Sequence, residues 1–112
     1  MSSPNPTHAS NSADHRVTPA QAVNLSGLFF ERVGRTPQAI AYRQYDPGSQ
    51  GWIDTTWADM AFEVGRIQAA MIRDGLESGA RIALMLRNAR EWVLFDQAAL
   101  GLGLVTVPLY TD

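Results

Sequence analysis

Two residue types are missing from the 112-residue chain, and each absence removes a class of chemistry. There is no cysteine, which excludes a disulfide framework, a zinc ribbon and thiol catalysis within this stretch. There is no lysine either, because all nine basic residues are arginine. That excludes Schiff-base chemistry, a P-loop lysine and a lysine clamp on phosphate. Charge of one sign is also lacking: the net value is −2 with acids and bases interspersed, so no electrostatic footprint for nucleic acid or an acidic membrane is present. No apolar run is long. Residues 98–110 form the longest, are broken by Gly and Thr, and fall short of the ~20 residues that span a bilayer; no transmembrane segment is expected.

Large apolar side chains are nearly absent from residues 1–19, MSSPNPTHASNSADHRVTP, where only Met1 and Val17 could offset the entropy of ordering. A disordered leader is expected there. It has neither the basic start and apolar stretch of a secretory signal nor a glycine at position 2 for myristoylation. The rest suits one domain at most.

Within that rest, Asn24-Leu25-Ser26 leads into LFFERVGR, where Leu25, Leu28, Phe29 and Val33 keep helical spacing until Gly34 and Pro37. Residues 39–45, AIAYRQY, alternate as a strand. The turn-forming DPGSQG follows, and Trp52-Ile53-Asp54-Thr55 completes a hairpin with a long tip. Thr56 then offers a hydroxyl to an orphan backbone N–H, with Asp59 near the positive end of a helix dipole. Trp57, Met60, Ala61, Val64, Ile67, Met71 and Leu76 recur at three- and four-residue steps, with charged residues largely opposite, which predicts an amphipathic helix closed by Gly75.

Residues 77–80 read as a turn, and 81–87, RIALMLR, as a strand apolar on both faces. At Asn88 the period changes. Asn88 is a preferred N-cap, Glu91 stands where a capping box puts an acid, and Trp92, Phe95, Ala99 and Leu102 continue at helical spacing to Gly101 and Gly103. Residues 104–110, LVTVPLY, form a second short apolar strand. Strand, helix and strand make a βαβ unit with a parallel pair. The fold class expected is therefore α/β: a β-hairpin, an amphipathic helix and one βαβ unit of a parallel sheet. Such a unit cannot cover both faces of its own strands, so the chain is expected to be an N-terminal fragment of a larger domain.

An ordered series of short motifs, spread over residues 24–112, resembles the N-terminal segment of the adenylate-forming (AMP-binding) enzymes, most closely the long-chain fatty acid–CoA ligases. It runs through Asn24-Leu25 with Phe29 and Pro37, Ala39-Ile40-Ala41-Tyr42, and Thr55-Thr56-Trp57-Ala58-Asp59. Gly75-Leu76, Gly79-Ala80-Arg81-Ile82-Ala83, Asn88 with Glu91-Trp92, Asp96 and residues 105–110 complete it. Glu91-Trp92 and the Pro108-Leu109-Tyr110 ending favour acyl-CoA synthetases over peptide-synthetase adenylation domains. At Gly79-Ala80-Arg81 the family usually has Gly-Asp-Arg or Gly-Asp-Lys. The resemblance implies a parent enzyme that activates a carboxylate with ATP and magnesium to an acyl-adenylate and then transfers it to coenzyme A. Residues 20–112 would be the incomplete N-terminal portion of its AMP-binding domain, and the remainder of that domain its partner. The carboxylic acid would be the parent's substrate, and its location cytoplasmic or peripheral to a membrane.

The family's phosphate loop, its acidic nucleotide contacts and its late catalytic lysine have no counterpart in residues 24–112. No catalytic, cofactor-binding or metal-binding residue is therefore assigned, and this stretch is expected to be scaffold, inactive alone. Asn88 with Arg87 and Arg90 could meet a phosphate at a helix N-terminus, but a structural cap explains Asn88 without one. Gly101-Leu102-Gly103 precedes a strand, the wrong context for a dinucleotide loop. His8 and His15 have no companion ligands. Asp59 and Glu63 read as a solvated helix face rather than paired catalytic carboxylates, and Trp57, Met60, Met71, Trp92 and Phe95 as core rather than the wall of an acyl tunnel. Two other classes compete: a free-standing truncated protein that acts only through a partner, and a small α/β module that binds ATP or an acyl chain by itself.

Overall fold

The computed structural model describes residues 16–87 and 89–110. His8, His15, Asn88 and most of the expected leader lie outside the described residues. The last residues of that leader make a turn of their own. The Thr18 hydroxyl accepts from the Gln21 N–H, the Gln21 side chain accepts from the Thr18 N–H at 2.9 Å, and Pro19 takes the first helical position, giving α1 (Pro19–Ala22). Proline costs nothing there because that N–H has no helical partner.

Helix α2 (Leu25–Arg35) starts where Asn24 Oδ1 accepts from the Gly27 N–H at 2.7 Å. Gly27 is required for that junction, since a Cβ on it would run into the Ala22 carbonyl oxygen. Strands β1 (Ile40–Asp46) and β2 (Gly51–Thr56) form the expected antiparallel hairpin, with Arg43 opposite Asp54, Gln44 opposite Ile53 and Tyr45 opposite Trp52. At its tip the Asp46 carboxylate accepts from the Gly48 and Ser49 N–H groups at 3.3 and 3.2 Å, an Asx-type closure.

Helix α3 (Trp57–Arg73) begins at Thr56 as expected. The structure adds the reciprocal half of a capping box, in which Asp59 Oδ2 accepts from the Thr56 N–H at 3.3 Å while Thr56 Oγ1 accepts from the Asp59 N–H at 3.1 Å. Gly75 follows with φ 82°, the left-handed conformation that ends the helix.

The βαβ unit consists of β3 (Arg81–Leu84), α4 (Arg90–Gly101) and β4 (Val105–Pro108), and β3 and β4 are parallel neighbours. Its details correct the sequence reading in two places. Both strands are shorter than their apolar runs: the ladder runs from Arg81 opposite Val105 to Leu84 opposite Pro108, and its last bond is the Leu109 N–H donating to the Leu84 carbonyl at 2.8 Å. The second correction concerns the start of α4: its N-cap is Ala89, not Asn88, and Ala89 makes no side-chain capping bond.

Helices α2, α3 and α4 enclose one apolar cluster of Phe29, Met60, Val64, Met71, Leu94, Ala98, Ala99 and Leu104, with Trp57 and Ile82 packed against it. Met60 and Val64 on α3 are 1% and 0% exposed, and the small Ala98 and Ala99 let α4 lie close to them. The parallel pair turns Ile82 and Leu84 toward this cluster. Its other face carries Ala83, Val105 and Val107, and the two valines remain 48% and 40% exposed. One layer of helices covers one face only, as a βαβ unit by itself must leave it.

Candidate functional site

In an open α/β sheet ligands collect beyond the carboxyl ends of the strands, near the positive ends of the helices that follow. Here that place is the junction from β3 to α4. The side chain that closes it comes from the hairpin: Gln44 Oε1 accepts from the Arg90 N–H at 3.1 Å. Gln44 thus does for α4 what Ala89 cannot. Arg90 itself turns back to the hairpin, donating from Nη1 to Thr55 Oγ1 at 3.1 Å, and its Nη2 lies 3.6 Å from Glu91. Thr55 is buried, so this bond satisfies a hydroxyl removed from water. Two polar contacts therefore stitch β1 and β2 to the start of α4. Arg87 remains exposed, and Asn88 lies outside the described residues.

The other residues weighed in the sequence separate cleanly. Asp59 is engaged in the Thr56 cap, and Glu63 pairs with Arg66 at 3.3 Å on an exposed surface; they do not act on a common point. Met60 and Met71 are buried in the core, Trp57 packs edge-on to Phe29 with ring centroids 6.1 Å apart, and Trp92 is half-buried. Phe95 is the exception. At 37% exposure it joins Met71, Ile82, Leu84, Met85 and Leu86 in lining an open apolar groove of about 410 Å³ just past β3. Gly103, with φ 72°, closes the turn between α4 and β4 and opens no phosphate loop.

Electrostatic perturbation is found on the hairpin. The Arg43 guanidinium, bonded to Asp54 at 2.6 and 3.1 Å, holds the Asp54 carboxyl below the usual carboxylate range. Hydrogen bonds from Ser49, through its side chain and its N–H, and from the Gly48 N–H lower Asp46 in the same way. Among the described residues no group of three His, Cys, Asp or Glu side chains is placed to hold a metal ion. No described helix is long and apolar enough to cross a membrane.

Gln44 and Thr55 are the residues that the sequence did not single out for this junction. A cap supplied from 46 positions away has no local signature. For Thr55 a signal existed, in its place next to the Thr56 cap on a strand that docks against a helix.

Known proteins resemble the chain in sequence and in fold. A long-chain-fatty-acid–CoA ligase of Mycobacterium bovis is 30% identical over 87 residues, which is 78% of this chain and 14% of that protein. A Mycobacterium tuberculosis fatty acyl CoA synthetase superposes with a TM-score of 0.67 at 26% identity, covering 80% of this chain and 17% of its own. The fatty acid AMP ligase of Legionella pneumophila has the same fold, with a TM-score of 0.72 at 18% identity, over 81% of this chain and 16% of its own. The chain thus spans about a seventh of the length of the curated mycobacterial relative. The family model of the AMP-binding enzymes matches residues 29–112, and the chain belongs to that family.

Proposed function

We propose that residues 20–112 are the N-terminal portion of the AMP-binding domain of an ATP-dependent acyl-CoA ligase whose substrate is a long-chain fatty carboxylate. The whole protein would convert carboxylate, ATP and coenzyme A, through an acyl-adenylate, to acyl-CoA, AMP and pyrophosphate. The observation that carries this reading is the match across residues 29–112 to the AMP-binding family; the fatty-acyl part is supported by the identity to the mycobacterial ligase. The described residues do not fit ATP, magnesium or coenzyme A by themselves. They offer no metal cluster, the chain has no lysine, and the guanidinium at the start of α4 is engaged by Thr55. No step of the reaction is routed through them. Their part is to hold β3, β4 and the hairpin in place for the rest of the domain, in a protein that works in the cytoplasm or at a membrane surface.

The test uses the protein at its natural length, incubated with ATP, magnesium, coenzyme A and a panel of short, long and aromatic carboxylic acids. Pyrophosphate release and thioester formation that favour the long-chain acids are expected. Thioester formed only from aromatic or short acids would overturn the substrate class, and none from any acid would overturn the ligase reading. The 112-residue chain alone should bind no ATP.

A further inference from the structure

Helix α3 is apolar on a second face. Opposite the buried Met60, Val64 and Met71 run Phe62, Gly65, Ala69 and Ile72, all exposed, with Phe62 67% and Ile72 60% accessible. Steps of three, four and three make a seam with the 3.5-residue period of paired helices. Phe62 and Ile72 give this face two large apolar side chains, and the two small residues between them let another backbone come close. The seam has a symmetry of its own. Its four positions are related in pairs about Ile67, Phe62 with Ile72 and Gly65 with Ala69, so an antiparallel copy of the same helix meets it in register.

We propose that this face joins two copies of the protein through a two-fold antiparallel α3–α3 contact, Phe62 packing on Ile72 of the other copy and Gly65 on its Ala69. The flanking charges agree with that occupant. In the antiparallel register Arg73 lies two residues, about 3 Å along the axis, from the level of Asp59 in the other copy, and the two-fold makes this attraction twice. Arg73 forms no ion pair among the described residues. Asp59 uses only Oδ2 in its capping bond. Arg66, which meets its own counterpart near the axis, carries its neutralising Glu63 with it at 3.3 Å. Opposed helix dipoles also attract. The same charges argue against a lipid surface: Asp59, Glu63 and Asp74 offset Arg66 and Arg73, leaving no cationic border for anionic headgroups. A contact along a helix about 25 Å long lies at the small end of specific interfaces, so the dimer is weak and concentration-dependent.

This inference uses none of the ligase chemistry, but it requires the outer face of α3 to stay clear of the rest of the domain that the ligase reading implies. Sedimentation equilibrium of the protein at its natural length, across roughly 1 to 100 µM, should show a reversible monomer–dimer equilibrium. Phe62→Arg should weaken it at least about tenfold while leaving the circular dichroism spectrum unchanged, because Phe62 supports no core contact. Phe62→Cys and Ile72→Cys proteins, mixed and oxidised against the unsubstituted protein as blank, should form a 62–72 disulfide. Neither variant should link to itself, since like positions lie about 15 Å apart along the axis. A monomer throughout the range, a dimer unaffected by Phe62→Arg, or 62–62 links that signal a parallel pair would each overturn the proposal. So would Phe62-dependent binding to phosphatidylcholine vesicles without self-association.

Discussion

Arg90 presents an orphan backbone N–H that a glutamine 46 positions earlier satisfies. Replacing Gln44 by Leu keeps its bulk on the strand and removes the acceptor. The expected cost is about 1 kcal/mol, read as a lower denaturation midpoint with an unchanged slope in the natural-length protein; no loss would mean that water serves the N–H equally well. The pair of Arg43 and Asp54 predicts a pH effect. Asp54 is lowered in the folded state from an ordinary value near 3.8, so its contribution is fully present above that value and fades as pH falls through the lowered one. Asp54→Asn should therefore lose less on acidification than the parent protein, the loss linked to Asp46 remaining, as followed by Trp52 fluorescence between neutrality and about pH 2. Arg90 was legible in the sequence as a cation near a helix start. Its partners were not, because Gln44 and Thr55 reach it only after a hairpin has docked.

Elements with local signals were read well and those with distant ones less so. The start of α3 is written in Thr56 and Asp59, two residues three positions apart whose bonds close within one turn. Thr56→Ala should cost about 1 kcal/mol and loosen the first turn of the helix, visible as faster amide exchange at Asp59, whose N–H loses its acceptor. At the other extreme, the apolar letters of Met85 and Leu86 continue past the point where the ladder of β3 stops opposite Pro108, since where a strand's partner leaves it is not marked in its own letters. The start of α4 was placed one residue early for a related reason: Asn88 is the better capping residue in isolation, yet the helix begins after Ala89, where Gln44 supplies the acceptor. Gly27 gave no periodic signal at all, although a methyl group there meets a backbone carbonyl. Gly27→Ala is accordingly expected to displace α1 from α2, seen as loss of amide protection at Gln21 and Ala22.

At the scale of the whole molecule, two small sheets share one helical layer rather than each other's strands. The βαβ unit and its parallel pairing were legible because the period changes from two to 3.6 and back within about thirty residues. That one face of the pair stays open follows from the same count, and it gives the ligase reading a structural test. If the rest of the domain covers Ala83, Val105 and Val107, then Val107→Asp in the natural-length protein places an unpaired charge in an interior and should cost about 3 kcal/mol or more. A change within about 0.5 kcal/mol would mean that the face remains in water.

The hairpin tip has a practical consequence. Residues 47–50 are all exposed, and the turn is closed by Asp46 from the strand side. Such a tip is where a foreign peptide can be spliced with least disturbance. An epitope or fluorophore tag inserted after Ser49 would report on the protein in cells while leaving the Gln44 and Thr55 contacts, a few residues down the strands, undisturbed.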